Sequence, residues 1–102
     1  MNIIDTRLNT FNELVKLIKE EDEKQVQKWG IQDRHIFEWA MWISEEFGEF
    51  IQAINEQNYE RVHDEPAYNS IIKEGVQTIT LISKMVCYLI QEQQWIKGME
   101  KT

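Results

Sequence analysis

Residues 44–50, with the sequence SEEFGEF, are the stretch from which the fold and chemistry of this chain can be inferred. They place three carboxylates within five positions, inside a segment that otherwise has the pattern of a buried helix. Residues three and four apart share a helix face, so Glu46 and Glu49 point the same way. The same arc of the helix also carries Trp39, Trp42 and Ala53.

Two like charges held close together in apolar company repel each other. A divalent cation is the simplest way to relieve that repulsion, because Mg²⁺ takes carboxylate oxygens as ligands. The alternative is an ordinary solvated acidic face, which is the better explanation for an isolated glutamate pair. Here the tryptophans beside Glu46 and Glu49 favour the cation. Glu45 falls further round the helix and is expected to be solvated.

The composition indicates one folded domain, residues 1–102, of the all-α class. The chain is 42% hydrophobic and has four Trp, four Phe and three Tyr residues, which argues against disorder. One Pro and four Gly leave few positions for turns. Few turns in a chain of this length mean long elements, and long elements favour helices.

Charge and cysteine content exclude several classes of protein. The net charge is -7 and no cluster of Lys and Arg exists, so a nucleic-acid polymer is not an expected partner. An acidic protein can still bind phosphates through bridging metal ions. The single Cys87 excludes an intramolecular disulfide and offers no zinc pattern. No signal peptide or membrane-spanning run is recognisable, so no membrane contact is expected and the expected location is the cytoplasm.

Helical spacing of the apolar residues predicts a small helical bundle of three long helices and a short C-terminal one. Asp5 or Thr6 would cap the first helix, and Gly30 would end it in a left-handed conformation. Pro66 suits the first turn of the third helix. The expected bounds are about Thr6–Trp29, Ile36–Asn55, Pro66–Gln91 and Trp95–Lys101.

The second and third predicted helices carry more apolar surface than a lone three-helix domain can cover. The third has a very wide apolar arc and is expected to be the most buried element. On the second, an apolar stripe runs beside the arc of tryptophans and acids, which indicates two packing partners. We therefore expect a homo-oligomer, most simply a dimer. The expected core stripe of the second helix is Ile36, Ala40, Ile43, Phe47, Ile51 and Ile54.

Two further acids have an ambiguous place in this pattern. Asp22 interrupts the apolar stripe of the first helix, and the charged run Glu20–Lys24 indicates that this end projects into solvent. The alternative is that Asp22 faces a polar pocket. Glu74 lies at the edge of the apolar arc of the third helix, where a glutamate usually snorkels to solvent or is ion-paired. If it faces Glu46 and Glu49 instead, it completes a metal site.

These pieces resemble the MazG-like branch of the all-α nucleoside triphosphate pyrophosphohydrolases. The family signature is Glu-Glu-x-x-Glu on one helix, followed by Glu-x-x-Asp on the next. Here the first half is EEFGE at residues 45–49 and the second is EGVQ at residues 74–77. The segments KWGIQ, residues 28–32, and WAMWI, residues 39–43, also look like those of MazG-like proteins. The resemblance extends from about Gln27 to Tyr88.

The resemblance implies a helical bundle that assembles as a dimer or as a pair of dimers. The implied substrate is a nucleoside triphosphate, cleaved between the α- and β-phosphates to a monophosphate and pyrophosphate. Glu49 or Glu45 would accept the proton from the attacking water, and the residues alone do not decide which. The implied ligands of Mg²⁺, or of Mn²⁺ as an alternative, are Glu46, Glu49, Glu74 and Gln77.

Basic and aromatic residues on either side of the motif are candidates for contact with the substrate. A tryptophan could stack on a nucleobase, although each one taken singly is more often a core or dimer contact. A lysine could contact a phosphate, but one basic residue is a weak signal. The substrate-binding candidates are Lys28, Trp29, Trp42 and Lys84.

Gln77 departs from the family pattern. The family's fourth ligand is usually Asp, whereas Gln offers a neutral carbonyl oxygen, which is a weaker ligand for Mg²⁺. This departure supports a second hypothesis, in which the chain binds nucleotide or metal without catalysis and acts as a regulatory module. A helical oligomerisation domain without any ligand is a third hypothesis, and the acids beside the tryptophans argue against it.

Overall fold

The computed structural model describes residues 3–31, 35–57 and 65–100, with side chains from residue 6 onward. Within these residues all regular structure is helical: α1 is Ile3–Trp29, α2 is Ile36–Asn55 and α3 is Glu65–Glu100. The all-α prediction is therefore confirmed, and the bounds of α2 agree with those expected. None of the described helices combines the length and the apolarity that crossing a membrane requires.

Helix α1 begins three residues earlier than predicted and ends as predicted. Thr6 is not a cap but an interior residue, whose carbonyl oxygen accepts a hydrogen bond from Thr10 Oγ1 at 2.9 Å. No Gly or Pro precedes it in the sequence, so nothing local stops the helix there. At the other end Gly30 has a φ of 76° and its N–H donates to Val26 O at 2.7 Å. A glycine is favoured at this left-handed position because it has no Cβ to clash.

A histidine caps α2. The Nδ1 atom of His35 accepts a hydrogen bond from the backbone N–H of Phe37 at 3.3 Å, and the two rings lie 5.2 Å apart. This satisfies one of the N–H groups that the first turn of a helix leaves free. His35 therefore has a structural role at the start of α2.

Helix α3 is longer than predicted, and there is no separate C-terminal helix at Trp95–Lys101 in the described residues. The helix starts at Glu65, with Pro66 in its first turn as expected, and continues past Gln91 to Glu100. No Gly or Pro lies between Gln91 and Trp95. Gly98 costs only about 1 kcal/mol relative to Ala inside a helix, which is too little to end one that is already long.

Helix α3 is the central element of the fold. The described parts of α1 and α2 each pack against α3 and not against one another. Helix α3 has the most buried residues of the described helices, but the prediction that its wide apolar arc is buried was wrong for the single chain, because Ile72, Ile82 and Ile90 on that arc are all more than a third exposed. The buried residues of α3 are Ala67, Thr78, Thr80 and Leu81. By comparison, α2 has two buried residues, Trp39 and Ala53, and the described part of α1 has one, Gln25. A groove therefore runs along α3 between the other two helices, bordered by Glu21 of α1, Glu46 of α2 and Glu74 of α3.

Helix α2 turns its arc of tryptophans and acids toward α3, and its apolar stripe away. A Cβ added at Gly75 would lie 3.2 Å from Phe50 Cε1, so the backbone of α3 comes close to α2 at this point. The predicted core stripe is wrong for the single chain, since Ile36, Phe47 and Ile51 are all more than a third exposed. Aromatic side chains bury more area than aliphatic ones, so the arc with two tryptophans is the better face to cover.

Candidate metal centre

Three carboxylates meet in the groove between α1 and α2. Glu46 and Glu49 come from α2 and Glu74 comes from α3, and one carboxylate oxygen of each lies within 4.8 Å of the others. Glu74 therefore faces the acidic pair instead of solvent, which was the alternative that would complete a metal site. The structure thus brings together three of the four residues proposed as metal ligands.

The negative charge of the three carboxylates is not balanced by positively charged side chains among the described residues. Burial raises the pKa of Glu46 above its ordinary value of 4.5, and the neighbouring Glu49, Glu74 and Glu21 raise the pKa further. The Oε2 atoms of Glu46 and Glu74 are buried and have no hydrogen-bond partner among the described residues. Buried acceptors without a donor are costly. A hard divalent cation takes oxygen ligands of this kind, so the donor set fits Mg²⁺.

The register of α2 against α3 is fixed next to this cluster by a threonine. The Oγ1 atom of Thr78 lies 2.9 Å from Glu74 O on its own helix and 3.1 Å from Glu46 O on α2. Its hydroxyl donates to these carbonyl oxygens at a buried position. Thr78 was not among the predicted site residues, although its place four residues after Glu74 put it on the same helix face.

Two members of the predicted ligand and catalytic sets are not among the three converging carboxylates. Glu45 is exposed, as expected from its position on the helix. Gln77 follows Glu74 by nearly one turn and is half-buried. Its side-chain oxygen is neutral, so it adds no charge to that of the three glutamates.

A polar network joins α1 to α3 on the opposite wall of the groove. Lys84 Nζ donates to Gln25 Oε1 at 3.0 Å and lies 3.0 Å from Asp22 Oδ1. Gln25 Nε2 in turn donates to Glu21 Oε2 at 3.1 Å, and Gln25 is only 3% exposed. The expectation that Asp22 projects freely into solvent was wrong, because its half-exposed carboxylate pairs with Lys84 across the helix interface.

This network borders a cavity of about 410 Å³ between α1 and α3. Its walls include apolar groups on α1 and α2 together with the ammonium of Lys84 and the carboxylate of Asp22. Trp39 lines it with a side chain that is 2% exposed, and the indole N–H of Trp39 has no hydrogen-bond partner among the described residues. Other lining residues include Ile18, Val26, Ile31, Ser83 and Tyr88.

Of the four residues predicted to bind the substrate, only Lys84 lines this cavity. Trp42 packs edge-on against Trp39, with ring centroids 5.7 Å apart and planes at 77°, which is a packing contact within α2. Lys28 places its Nζ 4.9 Å from the ring centroid of Trp29, and both are exposed at the end of α1. Gln25 was not predicted as a site residue, because its partner Lys84 lies on α3 and is identified only by the packing of α1 on α3.

No protein-family model, curated protein or solved structure matches this chain. The resemblance to MazG-like proteins therefore stays a prediction from the two halves of the acidic motif.

Proposed function

We propose that the chain is a Mg²⁺-dependent nucleoside triphosphate pyrophosphohydrolase. The observation that carries this proposal is the convergence of Glu46, Glu49 and Glu74, with two buried carboxylate oxygens that lack a donor among the described residues. When bound there, Mg²⁺ or Mn²⁺ would neutralise phosphate charge and make a water molecule more acidic. The choice of the α–β phosphoanhydride as the bond that is cleaved rests on the resemblance to MazG-like proteins.

The carboxylates would then divide into two roles. Glu46 and Glu74 have the buried oxygens and are the stronger candidates for ligands. Glu49 is more exposed and can both bind a cation and accept a proton from the attacking water, with Glu45 as the alternative base. No covalent nucleophile is needed, because phosphoryl chemistry is catalysed by positioning and electrostatics.

The cavity between α1 and α3 supports a nucleotide as the substrate. Ten residues separate Glu74 from Lys84 on α3, which is about 15 Å along the helix axis. A nucleotide would then lie along the groove, with its phosphates at the acidic cluster and its nucleoside in the cavity. The charge of Lys84 is already compensated by Asp22, so the cavity suits the neutral nucleoside better than the phosphates.

The experiment that tests this function is release of pyrophosphate from a panel of ribo- and deoxyribonucleoside triphosphates, with Mg²⁺ or Mn²⁺. Glu49→Gln should lose at least tenfold in metal affinity, since even outer-shell partners of a metal are worth about 10- to 100-fold. Its hydrolysis should fall accordingly. Glu13→Gln is the matched control, because Glu13 is an exposed glutamate on α1 outside the cluster. Equal activity in both variants, or no pyrophosphate from any substrate, would contradict the proposal.

Binding without turnover is the second candidate function. Gln77 favours it, because a neutral fourth ligand lowers the affinity for the cation. A regulatory module of this kind would show metal-dependent binding of a nucleoside triphosphate and no release of pyrophosphate. Under either function the proposed location is the cytoplasm, where nucleoside triphosphates are made and consumed, and the proposed assembly is a homo-oligomer.

A further inference from the structure

A second, smaller pocket lies between α1 and α3. Its volume is about 200 Å³, and the residues that line it include Lys24 of α1 together with Asn69 and Lys73 of α3. The two lysines belong to different helices, so they reach one pocket only because α1 packs on α3. We call this site the lysine pocket.

The positive charges of the lysine pocket have no direct partner. Neither Lys24 nor Lys73 makes an ion pair or a hydrogen bond within the part of the chain that the structure describes, whereas Lys84 is paired with Asp22. Lysine ammonium groups are common ligands of phosphate, to which they donate charge-assisted hydrogen bonds. Two such groups at one pocket are therefore a donor set for an anion with several phosphate oxygens.

The lysine pocket and the acidic cluster are neighbours. Glu21 lines the pocket, and its charge contributes to raising the pKa of Glu46 in the cluster. Along α3, Lys73 directly precedes Glu74, and the residues of α3 that line the larger cavity all come later, from position 80 onward. Along the axis of α3, the acidic cluster therefore lies between the two lysines and the larger cavity.

We propose that the lysine pocket binds the β- and γ-phosphates of the substrate, which leave together as pyrophosphate, and that Lys24 and Lys73 contact them. The role of this anion as a leaving group rests on the proposed function. With the nucleoside in the larger cavity and the terminal phosphates at the lysines, the α-phosphate would lie next to the acidic cluster. This order is a second reason, besides the resemblance, to expect cleavage between the α- and β-phosphates.

The two lysines would also act on the reaction itself. Hydrolysis of the α–β bond consumes one water, and the electrons of the bridging P–O bond leave with the pyrophosphate. Negative charge therefore develops on the leaving group as that bond breaks, and ammonium groups placed beside it would stabilise the charge. Lys24 and Lys73 are thus expected to contribute to turnover as well as to binding.

Binding of pyrophosphate should depend on the cation. Glu20 and Glu21 line the lysine pocket, and the three carboxylates of the cluster are close by, so the acids outnumber the two lysines. A divalent cation in the cluster offsets two of these negative charges and can also bridge to phosphate oxygens. Pyrophosphate should therefore bind to the metal-loaded protein and not to the metal-free one.

Calorimetric titration of the full chain with pyrophosphate, in Mg²⁺ and in chelator, tests the pocket. Wild type should bind pyrophosphate only with Mg²⁺. Lys24→Met and Lys73→Met should each weaken that binding at least about tenfold, which is the loss expected for one charge-assisted hydrogen bond. Lys97→Met is the matched control, because Lys97 is an exposed lysine about 36 Å further along α3. Equal affinity in all three variants, or no binding to the Mg²⁺-loaded wild type, would overturn the proposal.

Two further measurements separate a contact with the anion from a role in the fold. The affinity for Mn²⁺ alone should not fall in Lys24→Met or Lys73→Met, since each variant removes a positive charge near the cluster. A loss of Mn²⁺ affinity equal to the loss of pyrophosphate affinity would overturn the proposal. Lys73→Arg should keep most of the pyrophosphate affinity, because a guanidinium also donates to phosphate oxygens.

Failure of the pocket and failure of the proposed function give different results, because no arm of the titration measures hydrolysis. Binding of pyrophosphate that needs both lysines, without turnover of any nucleoside triphosphate, would contradict the proposed function alone. Turnover together with unchanged pyrophosphate affinity in both methionine variants would overturn the lysine pocket alone.

Discussion

Glu46 is the residue at which folding and the proposed chemistry are in conflict. Its carboxylate is partly withdrawn from water, faces two other glutamates and leaves one oxygen without a donor among the described residues. Each of these features disfavours the ionised form. A cation in the cluster would offset the repulsion and give that oxygen a partner, so metal binding would favour the ionised form of Glu46.

Stability of the metal-free protein should fall as the pH rises through the interval above 4.5. In that interval folded Glu46 keeps a proton that the unfolded chain has released, because its pKa is raised in the fold. The folded state binds more protons, so the free energy of unfolding decreases with pH until folded Glu46 is ionised. Urea unfolding in a chelator across the pH range measures this.

The matched comparison uses two glutamine variants. In Glu46→Gln the free energy of unfolding should no longer decrease as the pH rises above 4.5. In Glu13→Gln it should still decrease. With saturating Mg²⁺ the wild-type trend should weaken, since the cation needs the ionised carboxylates. If Glu46→Gln has the same pH dependence as wild type, the pKa of Glu46 is not raised by the fold.

Gln77→Asp tests the fourth position of the motif. An added carboxylate supplies charge where Gln supplies a dipole, so binding of Mn²⁺ should tighten and hydrolysis should rise at low Mg²⁺. The same charge adds repulsion to three glutamates, so the metal-free variant should be less stable than wild type. Calorimetric titration with Mn²⁺ measures the first effect and thermal melting in chelator the second. An unchanged affinity would mean that position 77 does not face the cation.

At the scale of helices, sequence periodicity identified the elements but not their partners. The spacing of apolar residues predicted α2 with its observed bounds, and it predicted two packing faces for α2, of which the structure covers the arc of tryptophans and acids. It could not say which face meets α3, because an apolar stripe and a tryptophan arc are both good packing surfaces. The choice depends on fit to another helix, which is visible here in the contact of Phe50 with Gly75.

The site divides in the same way. Glu46 and Glu49 were predictable, because they stand out on an otherwise apolar arc of α2, whereas the pattern of α3 left Glu74 open between solvent and the cluster, and its place in the ligand set came from the resemblance. The network of Gln25 with Lys84 was not, since 59 positions separate the two residues and neither belongs to a local motif. Interactions of that range depend on how α1 lies against α3, and single-helix patterns contain no information about that angle.

Substitutions at two glycines, Gly48 and Gly75, distinguish the effect of helix propensity on stability from the effect of helix packing. Gly48 has no heavy atom within 4 Å of the position of an added Cβ, so Gly48→Ala should stabilise the protein by about 0.5–1 kcal/mol through helix propensity. Gly75→Leu should instead destabilise by about 1–3 kcal/mol, because the larger side chain would push Phe50 and α2 away from α3. Chemical denaturation measures both. A stabilising Gly75→Leu would contradict the close approach of the helices.

At the scale of the whole molecule, the buried core of one chain is small. Only four apolar residues are buried among those described: Trp39, Ala53, Ala67 and Leu81. The most apolar face of α3 lies outside this core. Folding of the single chain and association with a second copy are therefore expected to be coupled, so that the isolated chain is much less stable than the assembly.

The melting temperature should accordingly depend on protein concentration. Association favours the native state by mass action, so wild type should melt at a higher temperature as the concentration is raised over two orders of magnitude. Ile79→Glu puts a charge on an exposed apolar side chain of α3, so this variant should show a lower melting temperature that does not change with concentration. Circular dichroism at 222 nm measures the transition. A wild-type midpoint that is independent of concentration would indicate that one chain folds on its own.

The edge-to-face pair of Trp39 and Trp42 has a spectroscopic consequence. Two indoles 5.7 Å apart and nearly perpendicular should couple their electronic transitions and give a distinct near-ultraviolet circular dichroism signal. Trp39 is buried, whereas Trp29 and Trp95 are exposed, so their emission should differ in wavelength and in quenching by iodide. Since the buried Trp39 lines the cavity, its emission should change when a ligand enters there.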